Sequence, residues 1–190
     1  SKSGTVSFVG GMDVPLIRKF ACGYVQGAKS ANPEITVIQN MTGTTPSAWN
    51  DPVKGAELTK AQVSQGSDVV YAAAGGTGVG VLQAAKDEGI LSIGVDSNQN
   101  YLHPGSVLTS MLKRVDNAVY AVFEGGAEGF KPGINALGLA NDGVGYAMDD
   151  DNKDLVSEEM VKAVEDAKAK IMSGEITVHD YTSDDSCPAS

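Results

Sequence analysis

Apolar positions along this chain follow two periods that alternate. Short β-rich runs at residues 5–10, 35–39, 68–73 and 90–95 predict strands. Between them apolar residues recur at helical spacing. Leu16, Phe20, Tyr24 and Ala28 stand four apart, which predicts one face of a helix that starts near Asp13 and Pro15 and stops at Asn32-Pro33. A polar loop at residues 40–51 leads into a second helix from Pro52 to Gly66, and a third runs from Gly78 to Glu88. Each crossover is long enough to hold a helix, so the strands are expected to be parallel with right-handed connections. The chain therefore reads as α/β, a parallel sheet flanked by helices in three layers.

The rhythm changes after Asp96. Residues 97–105 read as a polar connector and 107–112 as a fifth strand. Asp116 caps a helix with Val115, Val119 and Val122 on one side. A further strand is expected at 134–139, then a turn at Asn141-Asp142-Gly143. A long helix over 155–172 would turn Met160, Val164, Ala167 and Ile171 inward. Its acids Glu158 and Glu159 precede Lys168 and Lys170, as the helix dipole prefers, and Gly174 ends it. Residues 180–190 read as a surface tail.

Composition narrows the function classes. Glycine, at 23 of 190 residues, is above the usual share of about 7%. The excess falls at strand–helix junctions, where it marks tight turns and close approach by a ligand. A net charge of −10 argues against nucleic acid, which needs a basic footprint. No apolar run approaches the ~20 residues of a membrane span. No leader is read at residues 1–4, as in a processed or trimmed chain, which leaves the compartment open. Cys22 and Cys187 fit one disulfide or two separate thiols.

In parallel α/β sheets ligands bind at the carboxyl ends of the strands. The turn Gly75-Gly76-Thr77-Gly78 ends one strand and opens a helix, so backbone N–H groups there can meet a ligand. Asp96 ends the next strand, twenty residues after Gly76. The spacing imitates the dinucleotide fingerprint, but the glycines alternate at 76, 78 and 80 and Val81 stands where the third is needed. A carboxylate that holds sugar hydroxyls, a bound dinucleotide and a bland turn all remain open. Trp49, the only tryptophan, sits in the polar loop: it stacks on a flat or sugar-like ligand or folds onto its own domain. Lys113 and Arg114 follow the fifth strand, as ligand-binding cations or as solvated ones. The acidic run at residues 149–154 lacks the glycine and terminal glutamate of a calcium loop, and reads as a solvated helix start. His103 and His179 have no partner at zinc-ligand spacing. Neither a metal nor a cofactor is expected, and no nucleophile constellation is present.

Several motifs together resemble a known family. Residues 8–17 (FVGGMDVPLI), 49–55 (WNDPVKG), 74–78 (AGGTG), 94–99 (GVDSNQ) and 109–116 (TSMLKRVD) are similar to the second lobe of the basic membrane protein, or Bmp/Med/PnrA-like, solute-binding proteins. The resemblance implies a type I periplasmic-binding lobe with the first lobe mostly absent. It implies a solute-binding component of an ABC importer, not an enzyme. A membrane permease and a small nucleoside-like solute would be its partners. Its place would be periplasmic, or membrane-anchored as an extracytoplasmic lipoprotein. Trp49 then stands where the family usually has Phe, as a stacking wall; Gly75, Gly76 and Met12 lie near the ligand; Asp96 meets ribose hydroxyls; Lys113 matches the family lysine. The resemblance divides the chain into a lobe core at 1–105, an excursion at 106–130 that belongs with the first lobe, and a return at 131–190. A truncated or excised product is expected, with a natural half-length protein as the alternative. The apolar face at Val115, Val119 and Val122 would then need cover, as in a homodimer. A ligand-sensing regulator domain of the same fold and a Rossmann-like enzyme are the competing readings. On the disulfide reading, an exported chain would use Cys22–Cys187 to pin its tail to the first helix.

Overall fold

The computed structural model describes residues 1–129 and 133–189; Phe130, Lys131, Pro132 and Ser190 lie outside it. The boundary expected at 130/131 therefore falls outside the described residues. Five parallel strands form the sheet: β1 (Thr5–Met12), β2 (Thr36–Gly43), β3 (Val69–Ala73), β4 (Leu91–Asp96) and β5 (Val107–Lys113). A short antiparallel strand, β6 (Val144–Tyr146), closes one edge, and the spatial order is β2-β1-β3-β4-β5-β6. The order reverses direction at β1, beside β3, which opens a crevice at their carboxyl ends.

Alternation along the strands explains the layers. Phe8, Tyr71, Ala73 and Val95 face helix α1 (Pro15–Ala31), where they meet Ile17 and Ala21. Val9, Val70 and Ala72 point the other way, onto α2 (Pro52–Ser64) and α3 (Thr77–Asp87), through Val81, Leu82 and Ala85. The α2–α3 contact is close enough that two glycines are obligatory. A Cβ on Gly80 would lie 1.9 Å from the Pro52 carbonyl oxygen, and one on Gly55 would lie 2.6 Å from the Thr77 carbonyl oxygen. Gly80 is thus a helix-packing residue, which accounts for the alternating glycines that imitate a dinucleotide motif.

Several expectations need correction. The buried face of α1 is Ile17, Ala21, Cys22 and Val25; Phe20, Tyr24 and Ala28 lie at its margin and Leu16 is exposed. Asp13 does not cap α1. Val14 holds that position, and Asp13 instead pairs with Arg18. β2 extends to Gly43, four residues beyond the expected end, because its pairing with β1 continues to Met12. No strand forms over residues 134–139: Ile134 is fully exposed, and the paired edge strand comes later, at β6. The fifth strand, within the expected excursion at 106–130, is hydrogen-bonded along β4, and helix α4 (Val115–Gly129) follows it. Val115, Val119 and Val122 on α4 are exposed in this chain. Helix α5 (Glu158–Ser173) buries no residue, and Met160 and Val164 are exposed where an inward face was expected. Its N-cap is Ser157, not the acidic run. That run is a turn in which the buried Asn152 side chain donates to the Leu108 and Ala147 carbonyls, at 2.9 and 3.0 Å. The tail is not free: Cys22 and Cys187 form a disulfide.

Candidate functional site

Parallel strands deliver their carboxyl ends to one edge of the sheet. In this order β1, β3, β4 and β5 bring Met12, Gly75-Gly76, Asp96 and Lys113 into a row. Trp49 joins the row from the 3-10 turn Pro46–Trp49, which follows β2. All six residues singled out from the sequence therefore lie along one rim.

The indole of Trp49 lies across two of these strand ends. A Cβ on Gly11 would sit 2.3 Å from its Cε3 and Cζ3 atoms, and one on Gly75 would be 3.5 Å from Cε3. Gly75 also has φ +57°, a conformation that glycine adopts without strain. One face of the ring is thus seated on backbone, and the residue is partly buried. Trp49 packs on its own domain and stands on the rim.

Thr77 holds the Trp49 loop in place, a role that its place in the glycine-rich turn did not reveal. Its buried hydroxyl donates to the Ala48 carbonyl at 2.8 Å and accepts from the Asp51 N–H at 2.7 Å. Asp51 in turn caps α2 by accepting from the Lys54 N–H at 2.9 Å. The space beside Gly76 is taken by the Asn50 side chain and the Trp49 carbonyl, each 3.1 Å from where a Cβ would be. That crowding is poor ground for a pyrophosphate.

Asp96 is in an uncommon backbone state, with φ +69°. A three-residue turn closes around it as the Ser97 N–H donates to the Val95 carbonyl at 2.8 Å. Strain held at a strand end by its surroundings is a feature of binding sites. The surroundings here are a network: Gln99 Oε1 accepts from the Val95 N–H, Ser110 Oγ accepts from the Gln99 N–H, and the same hydroxyl donates to Asn100 Oδ1, at 2.8, 3.0 and 2.8 Å. Ser110 and Asn100 are fully buried. The motifs at 94–99 and 109–116 held Gln99 and Ser110, but their role needed the fold, and Asn100 lies just past the first motif. Lys113 Nζ lies 2.8 Å from Asp96 Oδ1 and 5.0 Å from the centre of the Phe20 ring. Both members of the pair are about half exposed, so its direct contribution to stability is small, ~0–1 kcal/mol. Beneath the rim, burial and then the nearby Asp96 charge push the Tyr71 phenol well above its ordinary pKa, which keeps it neutral. The rim itself is open. Two surface concavities lie elsewhere: about 390 Å³ between α2 and α3, and about 280 Å³ between α1, β2 and the C-terminal segment. Among the described residues no cluster of His, Cys, Asp and Glu could hold a metal.

Known proteins resemble this chain in sequence and fold. Residues 1–182 match the Bmp family, described as ABC transporter substrate-binding protein PnrA-like. Basic membrane protein D of Borreliella burgdorferi is 35% identical over 189 residues, 94% of this chain and 52% of the relative. The ABC transporter nucleoside-binding protein BmpA of Lactococcus lactis is 34% identical over 197 residues, 94% of this chain and 54% of the relative. The chain thus spans about half the length of these curated relatives. The solved ABC transporter solute-binding protein of Aeropyrum pernix superposes with a TM-score of 0.78 at 28% identity, covering 91% of this chain and 56% of that one. A transcriptional activator of the comK gene from Bacillus halodurans gives the same TM-score at 24% identity, covering 94% and 60%, and shows the fold alone. The match is to binding proteins and not to enzymes, so the Rossmann-like enzyme reading is set aside. The chain belongs to the Bmp family of PnrA-like ABC transporter substrate-binding proteins.

Proposed function

We propose that this chain supplies one wall of the ligand cleft in the solute-binding component of an ABC importer, and that its rim takes a nucleoside-like molecule. The observation that carries the reading is the pairing of Trp49, seated on Gly11 and Gly75, with Asp96 held on a strained turn one strand further on. Neighbouring strands are about 4.8 Å apart, so an indole across β1 and β3 stands one to two strand spacings from Asp96. A nucleoside has that reach from its base to its sugar hydroxyls. In this reading the indole stacks on the base, and Gly75 and Gly76 bind beside it at the end of β3, where Gly75 also seats the ring. Asp96 accepts from sugar hydroxyls, Lys113 orients the carboxylate through Oδ1, and Met12 lines the near edge. The ligand class is supported by the Lactococcus relative, which is named for nucleoside binding.

The facing wall, on this reading, comes from the family's first lobe, to which the excursion at 106–130 belongs, with residues 1–105 as the core of the present lobe and 131–190 as the return. A membrane permease receives the solute, and the protein works outside the cytoplasm. A disulfide suits that compartment. Among the described residues no helix is long and apolar enough to cross a membrane. Calorimetric titration of adenosine, guanosine and inosine into the two-lobe protein tests the ligand class. Replacing Asp96 with Ala should cost at least about tenfold in affinity, the worth of one charge-assisted hydrogen bond. Unchanged binding in that variant, or no binding of any nucleoside by the parent, refutes the reading.

A further inference from the structure

The C-terminal segment makes four attachments along one side of α1. Gln26 Nε2 donates to the His179 carbonyl at 3.1 Å, and the His179 N–H donates back to Gln26 Oε1 at 2.8 Å. Lys19 Nζ meets Asp180 Oδ2 at 2.6 Å. Cys187 closes the disulfide to Cys22. The fourth attachment leads to the rim. Arg18 stands beside Tyr181, and both line the small concavity next to the disulfide. The same guanidinium grips Asp13 with two bonds, Nε to Oδ1 at 2.6 Å and Nη2 to Oδ2 at 2.7 Å. Asp13 follows Met12 directly, and its N–H donates to the Gly43 carbonyl at 2.8 Å, at the end of the strand that leads into the Trp49 loop. A two-pronged arginine–carboxylate contact fixes orientation as well as distance.

We propose that residues 179–187 are a clasp that positions the β1–α1 turn of the rim through Arg18, so that opening the Cys22–Cys187 disulfide loosens the rim as well as the tail. Arg18 acts here as a positioning residue. The functional meaning rests on the rim assignment above, but the coupling itself is tested without ligand.

The experiment is amide hydrogen exchange on this chain, oxidised and after dithiothreitol. The reagent gives up two electrons and two protons, leaving two cysteine thiols and the cyclic disulfide of the reagent. Exchange should speed by about tenfold at residues 179–187 and also at residues 11–14, while the amides of α2 and α3 keep their rates. Replacing Arg18 with Ala, disulfide intact, should speed residues 11–14 to a similar degree without releasing the tail. Arg18→Lys should fall between, because it keeps the charge and loses the fork. The clasp is overturned if the tail opens on reduction while residues 11–14 hold their rates. It is also overturned if reduction leaves residues 179–187 protected, or if Arg18→Ala leaves the turn unchanged. Adenosine affinity of the two-lobe protein, oxidised and reduced, separates the two readings. Coupled exchange with no adenosine binding in either state refutes the rim assignment and leaves the clasp standing. Binding with uncoupled exchange does the reverse.

Discussion

Thr77→Val keeps the shape of a fully buried side chain and removes its hydroxyl. The hydroxyl joins two backbone groups, the Ala48 carbonyl at 2.8 Å and the Asp51 N–H at 2.7 Å. With valine in place both lose their partner. An orphaned buried polar group costs about 1–3 kcal/mol, so the pair would cost roughly 2–6 if nothing moved. Relaxation of the Trp49 loop and partial hydration of Asp51 favour the lower part of that range, about 2–4 kcal/mol. For a chain of this length about 2–4 °C accompanies each kcal/mol, so the midpoint should fall by roughly 4–16 °C. Thermal unfolding followed by circular dichroism reads this directly, with the disulfide kept oxidised. Thr77→Ser is the control. It keeps both hydrogen bonds and loses one methyl group, worth about 1 kcal/mol. A valine variant within about 0.5 kcal/mol of the parent, or a serine variant as damaged as the valine one, would refute the assignment of Thr77 as the anchor of the loop.

Two further outcomes follow from the geometry. Asp96→Gly relieves a positive φ at the cost of a weak surface pair, so the ligand-free chain should gain about 0.5–1 kcal/mol in urea unfolding while nucleoside affinity in the two-lobe protein falls at least about tenfold; a variant less stable than the parent contradicts the strain. The Asp180 carboxyl is held at about 2, from an ordinary value of 3.8, first by its bond to Lys19 and then by Thr182. A folded value below the unfolded one stabilises above about pH 4, and the benefit is lost as pH falls from there towards 2. The Thr182 amide resonance should accordingly titrate with a midpoint near 2, and a midpoint near 3.8 would show that the contact is not made.

Strands β1 to β4 and the edge they end on were legible because glycine, proline and β-branched residues punctuate residues 5–96 in agreement with the fold. Once the strands are parallel, residues at strand ends must share an edge, so Trp49 and Asp96 could be placed together without a structure. What failed did so through tertiary context. Leu16 has the right spacing for the face of α1, but the core centres one residue on, at Ile17 and Ala21. Residues 134–139 carry an apolar pattern without a strand partner, while Val144 to Tyr146 pair with β5 because the chain returns there. Thr77 and Gly80 look like parts of a glycine-rich ligand turn. One anchors a loop and the other admits a neighbouring helix, and neither role leaves a local signature.

The disulfide links residues 165 positions apart, and so makes a covalent ring of most of the chain. Strands β2 to β6 lie on that ring, whereas β1, at Thr5–Met12, lies on the arm before Cys22, outside it. Yet β1 fills the slot between β2 and β3. The ring by itself therefore holds its sheet in two pieces, β2 alone and β3 through β6, and only the arm can join them. Closing the ring restricts the unfolded chain, by about 5 kcal/mol in the idealised entropic account, but it does nothing to fasten the strand that unites the sheet. β1 is held in that slot by its pairing with β2 and β3, and it is also the strand that carries Gly11 and Met12 to the rim.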